Sequence, residues 1–217
     1  MADLVSATSR MENTMPPKKT PPMRRKLFLP LLLTPLLTAC TDVDNTYSNF
    51  HCNLYIDNSV HQDATLQSAM NPMAPGTFCL IKYTASPTPT YNFTSNHGQH
   101  STSPFNAIDT QRGNTRRIGM NNGLYVGYAN LLPDLNGSYA FVAYDAQCPN
   151  CFDYNQLPLR NYPLTVNSAG IATCANCKRQ YNLNIGGNCI NSSTAGDKGL
   201  TRYRATTSGP LGMLYVN

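Results

Sequence analysis

Hydrophobic positions along the chain come in short runs, rarely longer than eight residues, and turn-forming residues punctuate them. Residues 50–56 (FHCNLYI) and 77–84 (TFCLIKYT) have strand length and strand composition, and Asp57-Asn58 and Pro75-Gly76 bound them. Between them, residues 64–70 suit one or two helical turns. Residues 85–106 (ASPTPTYNFTSNHGQHSTSPFN) form a polar stretch rich in Ser, Thr and Pro, which predicts a long loop. Residues 124–129 and 139–144 (LYVGYA, YAFVAY) predict two further strands, with turn chemistry at Asn136-Gly137. Short strands are then expected over 164–166, 171–173, 181–183, 202–205 and 213–216. No repeat and no heptad pattern is visible. The pattern predicts a single all-β domain of many short strands, a small barrel or sandwich.

Composition supports this and narrows the function classes. The chain has 217 residues, 41% of them hydrophobic, only 12% charged, and no Trp. Glu12 is the only glutamate, whereas Asn, Thr, Ser, Gly, Pro and Tyr abound, which disfavours long helices. The net charge of +5 is unevenly placed: from Cys40 onward there are ten basic residues and nine Asp, a net of +1. That balance leaves no footprint for nucleic acid. Eight cysteines point to a metal site or an oxidising compartment.

The N-terminal region reads as an address. Met23-Arg24-Arg25-Lys26 is a short basic segment, and residues 27–37 (LFLPLLLTPLL) form an apolar stretch interrupted by Pro30 and Pro35. Its eleven residues fall well short of the roughly 20 that span a bilayer, and fit a secretory signal peptide. The stretch ends Leu37-Thr38-Ala39-Cys40, which resembles the lipobox of bacterial lipoprotein signal peptides. The resemblance implies that 23–39 is removed, that Cys40 carries the lipid, and that 40–49 is a tether to a domain over 50–217. Residues 1–22 then read as a start-site extension.

Two cysteine pairs carry the main chemical signal. Cys148-Pro149-Asn150-Cys151 and Cys174-Ala175-Asn176-Cys177 are separated by 22 residues. Four thiolates from two such knuckles can surround one tetrahedral ion at about 2.3 Å. The spacing suits zinc and also iron, while disulfides within or between the pairs are the alternative for an exported chain.

From Cys174 the chain reads C-A-N-C-K-R-Q-Y-N-L-N-I-G. This resembles the second cluster-binding box of Rieske [2Fe–2S] domains, C-x-x-H-G-x-x-F-x-L-x-x-G, in register at Cys174, Tyr181, Leu183 and Gly186. Residues 139–148 resemble the strand that leads into the first box, and 199–204 with 214–216 the closing strands. The whole chain is similar to Rieske-like lipoproteins of Bacteroides-type bacteria. The resemblance implies a Rieske-like fold with a two-loop metal-binding subdomain at about 145–187. The ligands depart from it. Cys177 stands at the second histidine position, Lys178 at the glycine, and Asn150 at the first histidine, followed by Cys151. Exchanging two His for two Cys would lower the potential of a [2Fe–2S] centre, and it produces the closed four-thiolate set of structural zinc.

The histidines offer no replacement. His51, His61, His97 and His100 all precede residue 101, and a solvated or strand-edge role is expected for each. Cys52 and Cys79, in the first two predicted strands, can pair as a cross-strand disulfide or lie buried as free thiols. Cys189 reads as a free thiol. No paired carboxylates, nucleophile with a nearby His and orienting acid, or phosphate-binding glycine loop is visible, so the chain does not read as an enzyme. The sequence predicts a protein of the bacterial cell envelope, in the outer membrane more than the inner, held to the membrane through Cys40. Its one centre, Cys148, Cys151, Cys174 and Cys177, would staple a non-catalytic module with zinc or disulfides. The second reading is an iron or iron–sulfur centre passing electrons to a redox partner. No small-molecule substrate is indicated.

Overall fold

The computed structural model describes residues 47–111 and 117–217. The signal segment, Cys40 and most of the tether lie outside them, as does the basic stretch 112–116. The described residues form one compact unit. Its strands are β1 (Leu54–Asp57), β2 (Phe78–Thr84), β3 (Thr90–Ser95), β4 (His100–Pro104), β5 (Leu124–Pro133), β6 (Tyr139–Asp145), β7 (Leu164–Val166), β8 (Ile171–Cys174), β9 (Gln180–Asn182), β10 (Asn188–Cys189), β11 (Arg202–Tyr203), β12 (Ala205–Thr207) and β13 (Met213–Val216). Short helices α1 (Asn58–His61), α2 (Ala64–Ala69) and α3 (Ala107–Gln111), and a 3-10 turn at Leu183–Ile185, join them.

The strands make three antiparallel sheets, ordered β1-β13-β12, β10-β9-β8-β7 and β11-β6-β5-β2-β3-β4. The all-β expectation holds. None of the sheets closes into a barrel, because each ends on an unpaired edge: β4 and β11, β1 and β12, β7 and β10.

The six-stranded sheet is the middle layer. Along β2, Cys79 and Ile81 enter one hydrophobic core while Phe78 and Leu80 enter the other. Along β5 and β6, Leu124, Val126 and Ala143 face the first core, and Tyr125, Val142 and Tyr144 the second. This explains why these strands read as nearly continuous apolar runs: both faces are covered. The first core lies against β1, β13 and α2, through Leu54, Ile56, Leu66, Leu214 and Val216. The second lies against the four-stranded sheet, through Leu164, Ala172, Cys174, Tyr181 and Leu183.

Buried polar side chains tie the four-stranded sheet to the middle layer. The Tyr125 hydroxyl donates to the Leu164 carbonyl at 2.9 Å, and the Tyr144 hydroxyl to the Leu183 carbonyl at 3.3 Å. Asn184, 3% exposed, accepts from the Asn130 amide at 3.0 Å and donates to the Ala169 carbonyl at 3.1 Å. It satisfies a backbone group where β5 and β6 lose register between Tyr128 and Pro133.

Three expectations are corrected. Residues 85–106 are not a loop, since β3 and β4 form a hairpin within them. Tyr91, Phe93 and Ser95 alternate inward along β3, a period-2 signal that the flanking Ser, Thr and Pro obscure. His61 is not at the surface, because its ring is 2% exposed and hydrogen-bonded to Asp109 through Nε2 at 2.9 Å. Nδ1 lies 2.7 Å from the Ser103 hydroxyl. So a serine, a histidine and an orienting acid do meet, drawn together by α1, β4 and α3, although the sequence shows no such set. The Cys52–Cys79 disulfide does not form: both are free, buried thiols. Cys52 precedes β1, which pairs with β13 rather than β2, and its Sγ meets the Arg117 carbonyl at 2.9 Å. Burial pushes the Cys52 thiol up to about 11.

Asn184→Ala leaves the Asn130 amide unpaired and is expected to cost about 2 kcal/mol in urea unfolding. Burial raises the Asp109 carboxyl, but bonds from His61, the Asn106 amide and Tyr91 outweigh it and leave the group below its ordinary 3.8. Its contribution is therefore present above the unfolded value and lost as pH falls through the folded one. Asp109→Asn should be less stable than the wild type above about pH 5, and the two unfolding midpoints should converge on acidification.

Candidate metal centre

Each knuckle follows from local structure. β6 ends at Asp145, whose carboxylate accepts from the Met120 amide at 2.6 Å, the Gln147 amide at 2.8 Å and the Tyr203 hydroxyl at 2.7 Å. This fixes the chain just before Cys148. The Cys148 amide then donates to the Tyr162 carbonyl at 2.9 Å, while its own carbonyl accepts from Cys151 and Phe152 at 3.2 and 2.9 Å. The second knuckle is the β8–β9 turn. Cys174 ends β8, its carbonyl accepts from the Lys178 amide at 3.0 Å, and its amide donates to the Arg179 carbonyl at 3.0 Å. Lys178 takes φ +62° to complete the turn.

The two knuckles meet. All four sulfurs lie within 4.8 Å of one another, Cys148 to Cys177 at 3.6 Å and Cys151 to Cys174 at 3.9 Å. A tetrahedron with metal–sulfur bonds of about 2.3 Å has edges of about 3.8 Å. The observed separations match it and are far from the roughly 2.05 Å of a disulfide. The four are free thiols, so the disulfide alternative for the pairs is not realised. Cys148 and Cys174 are buried, whereas Cys151 and Cys177 are partly exposed. His97 and His100 lie on the β3–β4 hairpin, where the His100 ring bonds Thr94 Oγ1 at 3.0 Å. Cys189 packs beside the second core and approaches Asn191 rather than the four sulfurs.

Donors surround the sulfurs. The Tyr181 hydroxyl is 3.3 Å from Cys148 Sγ, and Asn176 Nδ2 donates to Cys151 Sγ at 3.3 Å. Asn150 Nδ2 donates to the Tyr181 oxygen at 2.8 Å and so aims that hydroxyl's proton at the sulfur. Arg179 Nε is buried and has no oxygen or nitrogen partner. The guanidinium as a whole lies beside Cys177.

Electrostatics splits the four thiols. Burial drives Cys148 far above the ordinary thiol range, and burial also raises Cys151. For Cys177 burial works the same way, but the Arg179 amide and guanidinium overcome it and bring the thiol down to about 6. Such a set releases protons when it takes a cation. One loop braces both knuckles. Asp197 binds the Arg179 guanidinium at 2.6 Å, which holds its carboxyl well below the usual carboxylate range. Lys198 exchanges two 2.9 Å hydrogen bonds with Asn150.

The cysteine pairs and Tyr181 were visible in the sequence. Asn150 was seen only at a ligand-box position and not as a brace, and Arg179 was not singled out. Asp197 had no signal, since it lies 18 residues from Arg179 in a Ser/Thr/Gly loop.

Zinc titrated into the reduced chain at pH 7 should bind once per chain and release at least two protons, those of Cys148 and Cys151, by calorimetry in buffers of different ionisation heat. Arg179→Ala should raise the proton count, because Cys177 then starts protonated. No protein-family model, no curated protein and no solved structure matches this chain, so what the centre does has to be argued from its own geometry.

Proposed function

We propose that the protein is a lipid-anchored module of the bacterial cell envelope in which Cys148, Cys151, Cys174 and Cys177 hold one structural zinc ion. The observation that carries this reading is the mutual closeness of the four sulfurs, all within 4.8 Å. In a [2Fe–2S] cluster two cysteines bind each iron, and sulfurs on opposite irons stand more than about 5 Å apart. The sulfurs of this chain surround a single point. The Rieske-like resemblance of the two boxes therefore extends to their placement on facing loops and not to a binuclear cluster.

Structural zinc suits the surroundings. The four-thiolate set is closed and leaves no position for a substrate. The ion would join the segment after β6 to the β8–β9 turn, and so lock the four-stranded sheet onto the middle layer. Zinc supplies no redox chemistry. The protein groups neutralise the excess charge of four thiolates through the Tyr181 hydroxyl, the Asn176 amide and the Arg179 cation. The envelope assignment rests on the lipobox at Leu37–Cys40 and the preceding apolar stretch. No helix among the described residues is long and apolar enough to cross a membrane.

Metal analysis of the exported protein, with a visible spectrum, is the test. The expected result is one zinc per chain and no colour. One iron per chain with visible thiolate-to-metal bands would instead assign electron transfer, and two irons with two sulfides would contradict the single-ion geometry. Removing zinc, by chelator or by Cys177→Ser, should lower Tm by more than about 10 °C, since several kcal/mol of folding free energy leave with the ion. Cys40→Ser should abolish incorporation of labelled fatty acid and release the chain from the membrane fraction.

A further inference from the structure

We infer that the tip of the β5–β6 hairpin, with the adjoining outer side of the β1-β13-β12 sheet, rests on the phospholipid surface beside the anchor. The inference rests on lipidation of Cys40 and adds an orientation to it.

The hairpin end exposes large apolar side chains in and beside its polar turn, residues 134–138 (DLNGS). Leu135 is fully exposed, and Leu131 and Tyr139 are 67% and 45% exposed. Beside them runs an open groove of about 680 Å³ whose lining includes Tyr47, Tyr128, Phe141 and Arg202. Thr206 and Thr207 line this groove and also a second one, which carries the apolar character on to Tyr55, Met213 and Tyr215. These three point away from the core, since Leu54, Ile56, Leu214 and Val216 take the inward positions of β1 and β13. Contiguous apolar surface of this kind marks a contact.

Chain length selects the bilayer as that contact. Tyr47 lines the groove, and the next residue, Ser48, donates its amide to the Arg202 carbonyl at 2.8 Å. Seven residue steps separate Tyr47 from Cys40, a reach of at most about 25 Å. An acyl chain on Cys40 therefore keeps this side of the domain near the headgroups. The chemistry agrees. The guanidiniums of Arg202 and Arg204 sit over the Tyr47 ring at 5.2 and 5.3 Å. Aromatic rings with arginine cations suit the headgroup layer, where the cations attract anionic lipid. Asp134, the acid in the groove, is occupied by the Asn136 and Ser138 amides of its own turn.

The metal centre then points away from the membrane. β6 starts at the groove with Tyr139 and runs seven residues to Asp145, three residues before Cys148. That places the knuckles roughly 20 Å or more along the strand from the hairpin tip.

The chain has no tryptophan, so a single one reports its own surroundings. Full-length lipidated Leu135→Trp and Leu157→Trp are reconstituted into phosphatidylethanolamine–phosphatidylglycerol vesicles that contain brominated phospholipid. Leu157, 88% exposed in the loop after Cys151, is the control. Insertion of 5–10 Å should quench the Leu135→Trp emission about twofold or more and shift it to the blue, and leave Leu157→Trp unchanged. Sedimentation with vesicles but equal, unquenched emission from both variants overturns the orientation and leaves the anchor standing. Equal quenching of both also overturns it. A chain that stays in the supernatant, with an unmodified Cys40 by mass spectrometry, overturns the anchor and the orientation together.

Discussion

The four-stranded outer sheet is too small to support itself, and the rest of the molecule is arranged around that fact. Its strands have two to four residues each, fewer than a free-standing sheet needs. Its inner face is covered by the central layer through Phe78, Tyr125 and Tyr144; the Tyr125 and Tyr144 hydroxyls donate to the Leu164 and Leu183 carbonyls, and Asn184 accepts from the Asn130 amide of β5. At the end where Cys174 closes β8, the two cysteine knuckles meet. Four sulfurs so close, two of them buried, cannot all ionise without a cation, because burial and mutual repulsion both oppose it. The same geometry that makes the empty set reluctant to ionise makes it selective for an ion that accepts all four.

The loop that carries Asp197 and Lys198 shows how the site is kept in shape. Arg179 is held by Asp197 on one side and faces Cys177 on the other. Asn150 is held by Lys198 and holds Tyr181, which faces Cys148. Each knuckle thus has one outer partner from the same short loop. Loosening that loop would disturb both sulfur pairs at once, a coupling that no cysteine substitution alone reveals.

Much of this was legible in the chain. β7 and β13 match their expected bounds, and β2, β6 and α2 lie within a residue of theirs, because each has a strong apolar run or a clear cap such as Asp63. The four ligands were legible because C-x-x-C spacing is local. What was hidden is what depends on contacts distant in sequence. The β3–β4 hairpin alternates correctly, yet its polar positions are Ser and Thr that also read as loop. His61 looked like a surface residue because its partners, Ser103 and Asp109, are more than forty positions away. Of the two readings left open for Cys52 and Cys79, buried free thiols is the one seen, because β1 pairs with the last strand of the chain and not with β2.

The asparagines that replace charge in this fold have a further consequence. The links between layers are neutral: Asn184, Asn96, Tyr125 and Tyr144 bind backbone carbonyls and amides. Two ion pairs among the described residues, His61–Asp109 and Arg179–Asp197, have side chains exposed by 2%/2% and 22%/3%. Mobile ions weaken exposed charge pairs and leave buried or neutral ones nearly untouched. These links between the layers are therefore expected to hold almost unchanged as ionic strength rises.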